Sequence, residues 1–424
     1  SVVTGVQTCA LPISIEGNIV EKGVTPMNYS SFFSKHSERA FRNEPPGEWM
    51  PNIPADCIRL SSGYPDPALV PVQKINVAVQ ELLTEEEDLP LHYLGTPKMD
   101  ELQSQITEHL NKRDMNITDN QLLITAGACQ AIDLISRVFM DQETVVAIEK
   151  PTYMEALEIF KNYTSEFIEI PIDEQGMDTK QFEIMLEERK KNAQPLPKMV
   201  YTIPTFHNPT GTTMPIERRH HLLQLASEYD FLIIEDNAYG DLYFNELPLS
   251  LKALDKEERV LHVGSLSKIV APGLRIGWIA AAETLMQKLY WFKKDLDHPF
   301  LQAVMSTYLD KHSIAEQSNS LRMVYRGKAE EMIRALELYM PEKVSWFYPD
   351  GGYFVWVQVN DVDTTSLLTT ATEKGVSYIP GEFFFLNREE GKPYLRLSFS
   401  YESKEQIRKG VEMLADVIKN SRKA

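Results

Sequence analysis

From Leu122 onward, short apolar or β-branched runs alternate with stretches of helical periodicity. Seven runs have the length of buried strands: Leu122 to Thr125, Val145 to Ile148, Phe167 to Ile172, Met199 to Ile203, Phe231 to Glu235, Val260 to Val263 and Gly277 to Ala280. Between them Ile132, Ile135, Val138 and Phe139, and later Ile216, Leu222, Leu223, Leu225 and Ala226, recur at helical spacing. This alternation predicts an α/β fold: a mostly parallel, seven-stranded sheet with helices on both faces. After about Phe300 the pattern changes to long helices, then strands over Tyr353 to Val359, Val376 to Ile379 and Tyr394 to Phe399, and a closing amphipathic helix. That region predicts a smaller α+β domain over 306–424, beside a large domain over 58–305. Residues 14–57 are polar and broken by Pro26, Pro45, Pro46, Pro51 and Pro54, which predicts an extended arm with at most short helical pieces.

Composition narrows the function. A chain of 424 residues, 43% hydrophobic and 25% charged, has the proportions of a globular protein of two or so domains. Its formal charge of −18 argues against nucleic acid or an anionic membrane surface as partner, and leaves small molecules. No apolar run approaches the roughly 20 residues of a membrane span, and no basic-then-apolar leader opens the chain. The reading is a soluble cytoplasmic protein. Three cysteines cannot form a disulfide framework and have no paired metal-ligand spacing, so no metal site is expected. The segment Val3 to Ile13 resembles the conceptual translation of a sequencing adapter, so residues 1–13, Cys9 included, are set aside as an artefact of assembly.

The chemistry concentrates in Ser265-Leu-Ser267-Lys268-Ile-Val-Ala-Pro272-Gly273-Leu-Arg275, directly after the run Val260 to Val263. Ligands of open α/β sheets sit at the carboxyl ends of the strands, which is where this string falls. A lysine amine there can form an imine with an aldehyde, while two hydroxyls and a guanidinium can hold a phosphate dianion.

The string resembles the lysine motif of fold-type I, class I pyridoxal-phosphate-dependent aminotransferases. Pro349-Asp-Gly-Gly-Tyr353-Phe-Val-Trp356 and Tyr378-Ile-Pro-Gly381 resemble the branch of 2-aminoadipate and kynurenine aminotransferases and of the effector domains of MocR-type regulators. The resemblance implies pyridoxal 5′-phosphate as cofactor, carried by Lys268 as a Schiff base. It implies Asp236 against the pyridine nitrogen, Asn208 and Tyr239 on the phenolic oxygen, and Tyr153 stacked on the ring. Ser265, Ser267, Arg275 and the turn Gly127-Ala128-Cys129 would hold the phosphate, the turn through backbone amides at a helix N-terminus. Ala128 and Cys129 depart from the family's usual Gly-Ser-Gln there; Cys129 is read as a small residue near the phosphate, with a reactive thiol as the alternative.

For the substrate, the resemblance gives Arg396 the α-carboxylate and Gly63 a close backbone approach. A structural ion pair is the competing account of Arg396. Arg39 on the arm is the candidate for a distal carboxylate, or else an exposed arginine. Tyr93 resembles the tyrosine that reaches the phosphate of a partner subunit, which implies a homodimer. The reaction implied is ping-pong transfer of an amino group between an L-amino acid and a 2-oxo acid, with 2-oxoglutarate expected as acceptor. Lys268 would move the α-proton and Asp236 would keep the ring nitrogen protonated. A β-lyase, or a regulator's effector domain separated from its DNA-binding domain, are the alternatives.

Overall fold

The computed structural model describes residues 27–421 except 44, 46, 48–52, 94 and 296. The adapter-like segment, with Cys9, lies outside the described residues. Within the arm, a short helix spans Lys35–Ala40, capped by the Ser34 side chain on Ser37 N–H.

After a two-residue strand, β1 (Ile58–Arg59), the large sheet takes its strands in turn. They are β2 (Leu122–Thr125), β3 (Val146–Lys150), β4 (Phe167–Asp173), β5 (Gly176–Met177), β6 (Met199–Thr202), β7 (Leu232–Asp236), β8 (Val260–Ser265) and β9 (Gly277–Ala280). Their order across the sheet is β2-β9-β8-β7-β6-β3-β4-β5. Pairing from β8 through β7, β6 and β3 to β4 is parallel, and β9 runs against both its neighbours. All seven predicted strands form. The sheet has an eighth, β5, which folds back antiparallel on β4. A strand of two residues is too short to leave a periodicity.

Consecutive strand residues feed opposite layers, as the two-residue period requires. Val146, Ile148 and Ile234 pack with Ile132, Ile135 and Phe160 from the helices of one face. Ala147, Val200 and Ile233 pack with Phe182, Leu222 and Leu225 from the other. Each such side chain is fully or nearly buried, and those larger than alanine contribute about 1.5–3 kcal/mol apiece. Burial on both faces is why these strands read as apolar runs rather than as alternating ones.

The second sheet contains β10 (Val344–Trp346), β11 (Phe354–Val359), β13 (Ile379–Pro380) and β14 (Tyr394–Ser398), in the order β10-β11-β14-β13, with β12 (Val376–Ser377) just outside it. All its pairings are antiparallel. The run Val376 to Ile379, read from sequence as one strand, is divided: β12 pairs in parallel with β1, and β13 pairs with β14. The helix Ile314–Tyr339 begins with a Ser313–Glu316 capping box and, with the helix Lys404–Ser421, shares one apolar cluster with this sheet. The same cluster includes Ile124 and Trp278 of the large sheet. No described helix is long and apolar enough to cross a membrane.

Candidate active site

The carboxyl ends of β6, β7 and β8 open onto a cavity of about 350 Å³. Asp236 ends β7 and Ser265 ends β8, while Asn208 and Lys268 follow β6 and β8 by a few residues. Because β7 lies between β6 and β8, parallel pairing alone sets these residues on one edge of the sheet. From the other sheet, β14 contributes Arg396.

One part of the cavity is built for an anion. Gly127, at φ +90°, precedes the helix Ala128–Phe139 and leaves its first amides directed outward. Arg275 lies against this turn, its Nη2 donating to the Ala126 carbonyl at 3.0 Å. Ser265 Oγ and Ser267 Oγ are 2.9 Å apart on the same cavity wall. A Cβ on Gly127 would stand 2.6 Å from Arg275 Nη2, in a backbone conformation that disfavours any side chain. Gly127→Ala is therefore expected to displace Arg275 and raise the dissociation constant for a bound phosphate group at least tenfold, measured by fluorescence titration of the apoprotein.

A second part holds a buried acid and an amine. Asp236 is only 4% exposed, and its Oδ2 accepts from the Tyr201 hydroxyl at 2.8 Å. Burial raises its proton affinity above that of an ordinary aspartate, with the Tyr201 hydrogen bond opposing the rise. Lys268 Nζ donates to the Gly63 carbonyl at 2.9 Å and stands 5.8 Å from the centre of the Tyr239 ring. The Tyr353 hydroxyl donates to the Lys268 carbonyl at 2.8 Å and so fixes the backbone from which the amine projects.

Arg396 is the third part. Its Nη1 donates to Asn208 Oδ1 and its Nη2 to the Ser61 carbonyl, both at 3.0 Å. The guanidinium lies over the Phe354 ring at 4.1 Å. Among the described residues no carboxylate pairs with it, and its buried Nε has no hydrogen-bond partner. Burial brings the group down to about 10, because little nearby compensates the charge. The ion-pair account of Arg396 is thus not what the structure shows. A buried cation with an unused donor, opening on a cavity, is arranged for an incoming anion.

Tyr153 precedes the helix Met154–Lys161 and forms part of the cavity wall. Its hydroxyl donates to Glu155 Oε2 at 2.5 Å, and Cys129 Sγ donates to the same oxygen at 3.2 Å. Two expected residues stand elsewhere. Arg39 does not line the cavity; its Nη1 donates to the Tyr163 carbonyl at 3.5 Å. Tyr93 is 97% exposed and also outside the cavity. Tyr201, Tyr353 and Glu155 escaped the sequence reading. A hydroxyl inside an apolar strand was the one signal for Tyr201, and Tyr353 lay within the Pro349 to Trp356 motif.

An anion cradle that a single methyl group would fill, a buried carboxylate and a lysine amine together match pyridoxal phosphate: its phosphate, its ring nitrogen and its aldehyde. Residues 55–414 match the family described as aminotransferase class I and II. The chain belongs to this family. The aminotransferase is 40% identical over 375 residues to aromatic-amino-acid aminotransferase 1 of Thermococcus litoralis, covering 87% of this chain and 89% of that one. It is 34% identical to 2-aminoadipate transaminase of Thermus thermophilus, over 85% and 90% of the two chains. It superposes with TM-score 0.82 on the crystal structure of kynurenine aminotransferase from Pyrococcus horikoshii, at 39% identity, over 87% and 92% of the chains. It is a pyridoxal-phosphate-dependent aminotransferase of fold type I, transferring an amino group between an amino acid and a 2-oxo acid. These relatives support that activity and not a β-lyase or a regulator's effector domain.

Proposed function

We propose that this aminotransferase takes aromatic and large apolar L-amino acids as donors, held by Arg396 through the α-carboxylate. The buried guanidinium with its unused Nε supports the carboxylate contact. The walls support the side-chain class: Tyr64, Tyr153, Phe354 and Ile379 are apolar or aromatic. Lys268 and Arg275 are the other cations among the described lining residues, and both are assigned to the cofactor, so no cation is left for a distal carboxylate. The named activities of the Thermococcus and Pyrococcus relatives agree with this class. 2-Oxoglutarate stays the expected acceptor.

When bound, pyridoxal phosphate supplies an aldehyde for the amino group and a ring that accepts the electron pair left at the α-carbon. Lys268 would hold the aldehyde carbon, Asp236 the ring nitrogen, Asn208 and Tyr239 the phenolic oxygen, and Tyr153 the ring face. Ser265, Ser267, Arg275 and the amides at Ala128 and Cys129 would hold the phosphate. Gly63 brings its carbonyl to the amine of Lys268 and would form the backbone floor under the substrate. Arg396 fixes the substrate by its carboxylate, and Lys268, as a neutral amine, takes the α-proton. Tyr353 keeps the Lys268 backbone still while the side chain moves that proton.

A panel of donors tests the assignment. Phenylalanine and tyrosine are expected to exceed alanine and 2-aminoadipate in kcat/KM by about tenfold or more, the scale that apolar burial of a side chain allows. A preference for 2-aminoadipate would overturn it. Arg396→Lys is expected to raise KM for every donor by roughly 10- to 100-fold with a smaller change in kcat, since an ammonium cannot reproduce the planar fork.

Tyr93 stands beside exposed Leu89 and Leu91. We read this surface as the face for a second copy, where Tyr93 would reach the partner's phosphate site, and sedimentation of the purified enzyme checks the dimer. Among the described residues neither Cys57 nor Cys129 is in a disulfide, which suits a reducing compartment such as the cytoplasm.

A further inference from the structure

Tyr201 lies outside the cavity, in the middle of the sheet, yet it touches the residue on which the electron-sink role depends. It belongs to β6, whose Tyr201 and Thr202 pair with Ile234 and Glu235 of β7, so its hydroxyl reaches the next residue of that strand, Asp236. Its ring is completely buried and packs edge-on against Phe160 at 5.2 Å, which fixes the direction of the hydroxyl. Oδ2 of Asp236 receives that hydroxyl at 2.8 Å, while Oδ1 accepts from the Ala238 amide at 3.3 Å.

We propose that Tyr201 is a positioning residue for transamination: by donating to Asp236 it keeps that carboxylate ionised and aimed, and thereby sets how firmly the cofactor's ring nitrogen holds its proton. The inference rests on the reading of Asp236 as the ring-nitrogen partner. A carboxylate buried in an apolar sheet tends to take a proton, and the hydroxyl is the strongest influence acting against that tendency. The other groups that face Asp236 are His262, which is engaged at 2.9 Å with Glu235, and Lys268. Tyr201 itself is held far from ionisation by burial and by the Asp236 charge, so it acts as a neutral donor throughout the working range of pH. Without its hydrogen bond, the proton shared between ring nitrogen and carboxylate moves toward the carboxylate, and the ring becomes a weaker electron acceptor.

The test is a double-mutant cycle with Y201F and D236N in the full chain, loaded with pyridoxal phosphate. Y201F is expected to lower kcat about tenfold with donor KM within about twofold. It should also move the pH midpoint of the bound cofactor's visible absorbance upward, because a less positive ring nitrogen lets the lysine-linked nitrogen keep its proton to higher pH. In the D236N background the same change should do neither. An equal loss of kcat in both backgrounds, or an unmoved midpoint, overturns the proposal. Full activity of D236N alone overturns the underlying reading of Asp236 instead, which keeps the two failures distinct. Should Y201F not fold, 3-fluorotyrosine placed at position 201, a stronger donor of nearly the same shape, is expected to move the midpoint downward; no movement overturns the proposal.

Discussion

Lys268→Ala is expected to abolish turnover, with kcat/KM lower by on the order of 10³-fold or more, while the protein still folds. The loss would combine the two roles proposed for the amine, holding the cofactor's aldehyde carbon and moving the α-proton; a positioned base alone contributes about 10²- to 10⁴-fold. Folding should survive because the amine donates to the Gly63 carbonyl on the cavity wall and the backbone stays anchored by Tyr353. The visible absorbance of the purified variant should change from that of a lysine-bound chromophore to that of free aldehyde in the site. Phosphate binding should persist, since the Ser265 and Ser267 hydroxyls bond to each other and Arg275 donates to the Ala126 carbonyl, contacts that do not pass through the Lys268 side chain. A small primary amine added to the medium should restore a fraction of turnover by supplying the missing base. Retention of the wild-type band together with full activity would falsify the assignment of Lys268.

The positions legible in the sequence were those that a parallel sheet collects without help from tertiary detail. Asn208, Asp236 and Lys268 each follow a buried apolar run, and parallel pairing of β6, β7 and β8 necessarily brings such positions to one edge. Arg396 was legible for a related reason, as a charge on a strand otherwise read as apolar; its register opposite Trp356 and Ile379 puts it inside. What the sequence could not show are the partners. An apolar run says that a segment is buried, but not against what, so Val376 to Ile379 reads as one strand although its halves pair with β1 and β14. The roles of Tyr201 and Tyr353 left no local signal, because their hydroxyls find acceptors far away along the chain. Glu155 left no signal in the sequence, because its burial against Tyr153 and Cys129 depends on how two helix N-termini meet. Arg39 hangs on the packing of an arm, and the role proposed for Tyr93 would need a second copy; neither is encoded by local pattern.

Asp236→Asn should separate stability from turnover. Burial raises the Asp236 carboxyl above its ordinary value, and the Tyr201 hydroxyl, the Ala238 amide and the charges of His262 and Lys268 only partly oppose this. A carboxyl whose value in the folded chain exceeds that in the unfolded chain, about 3.9, favours folding fully below that pH, and the contribution is lost as pH rises through the folded value. The surroundings of Asp236 in the apoprotein therefore disfavour its ionised form. Asparagine keeps the shape and the acceptor for Tyr201 without the charge. The thermal midpoint of the apo variant at pH 7 should match or exceed that of the wild type, and the difference should shrink as pH falls toward about 4. Turnover should move the other way, by roughly 10²- to 10³-fold in kcat, because a neutral amide cannot stabilise a positive ring nitrogen where charge builds up in the reaction. Donor KM should change little, since Arg396 and the aromatic walls are untouched. A clear drop in the apo midpoint at pH 7 would show that the sheet depends on the carboxylate for folding. The opposite pattern, a firmer protein with a slower reaction, is what a strained charge retained for catalysis requires.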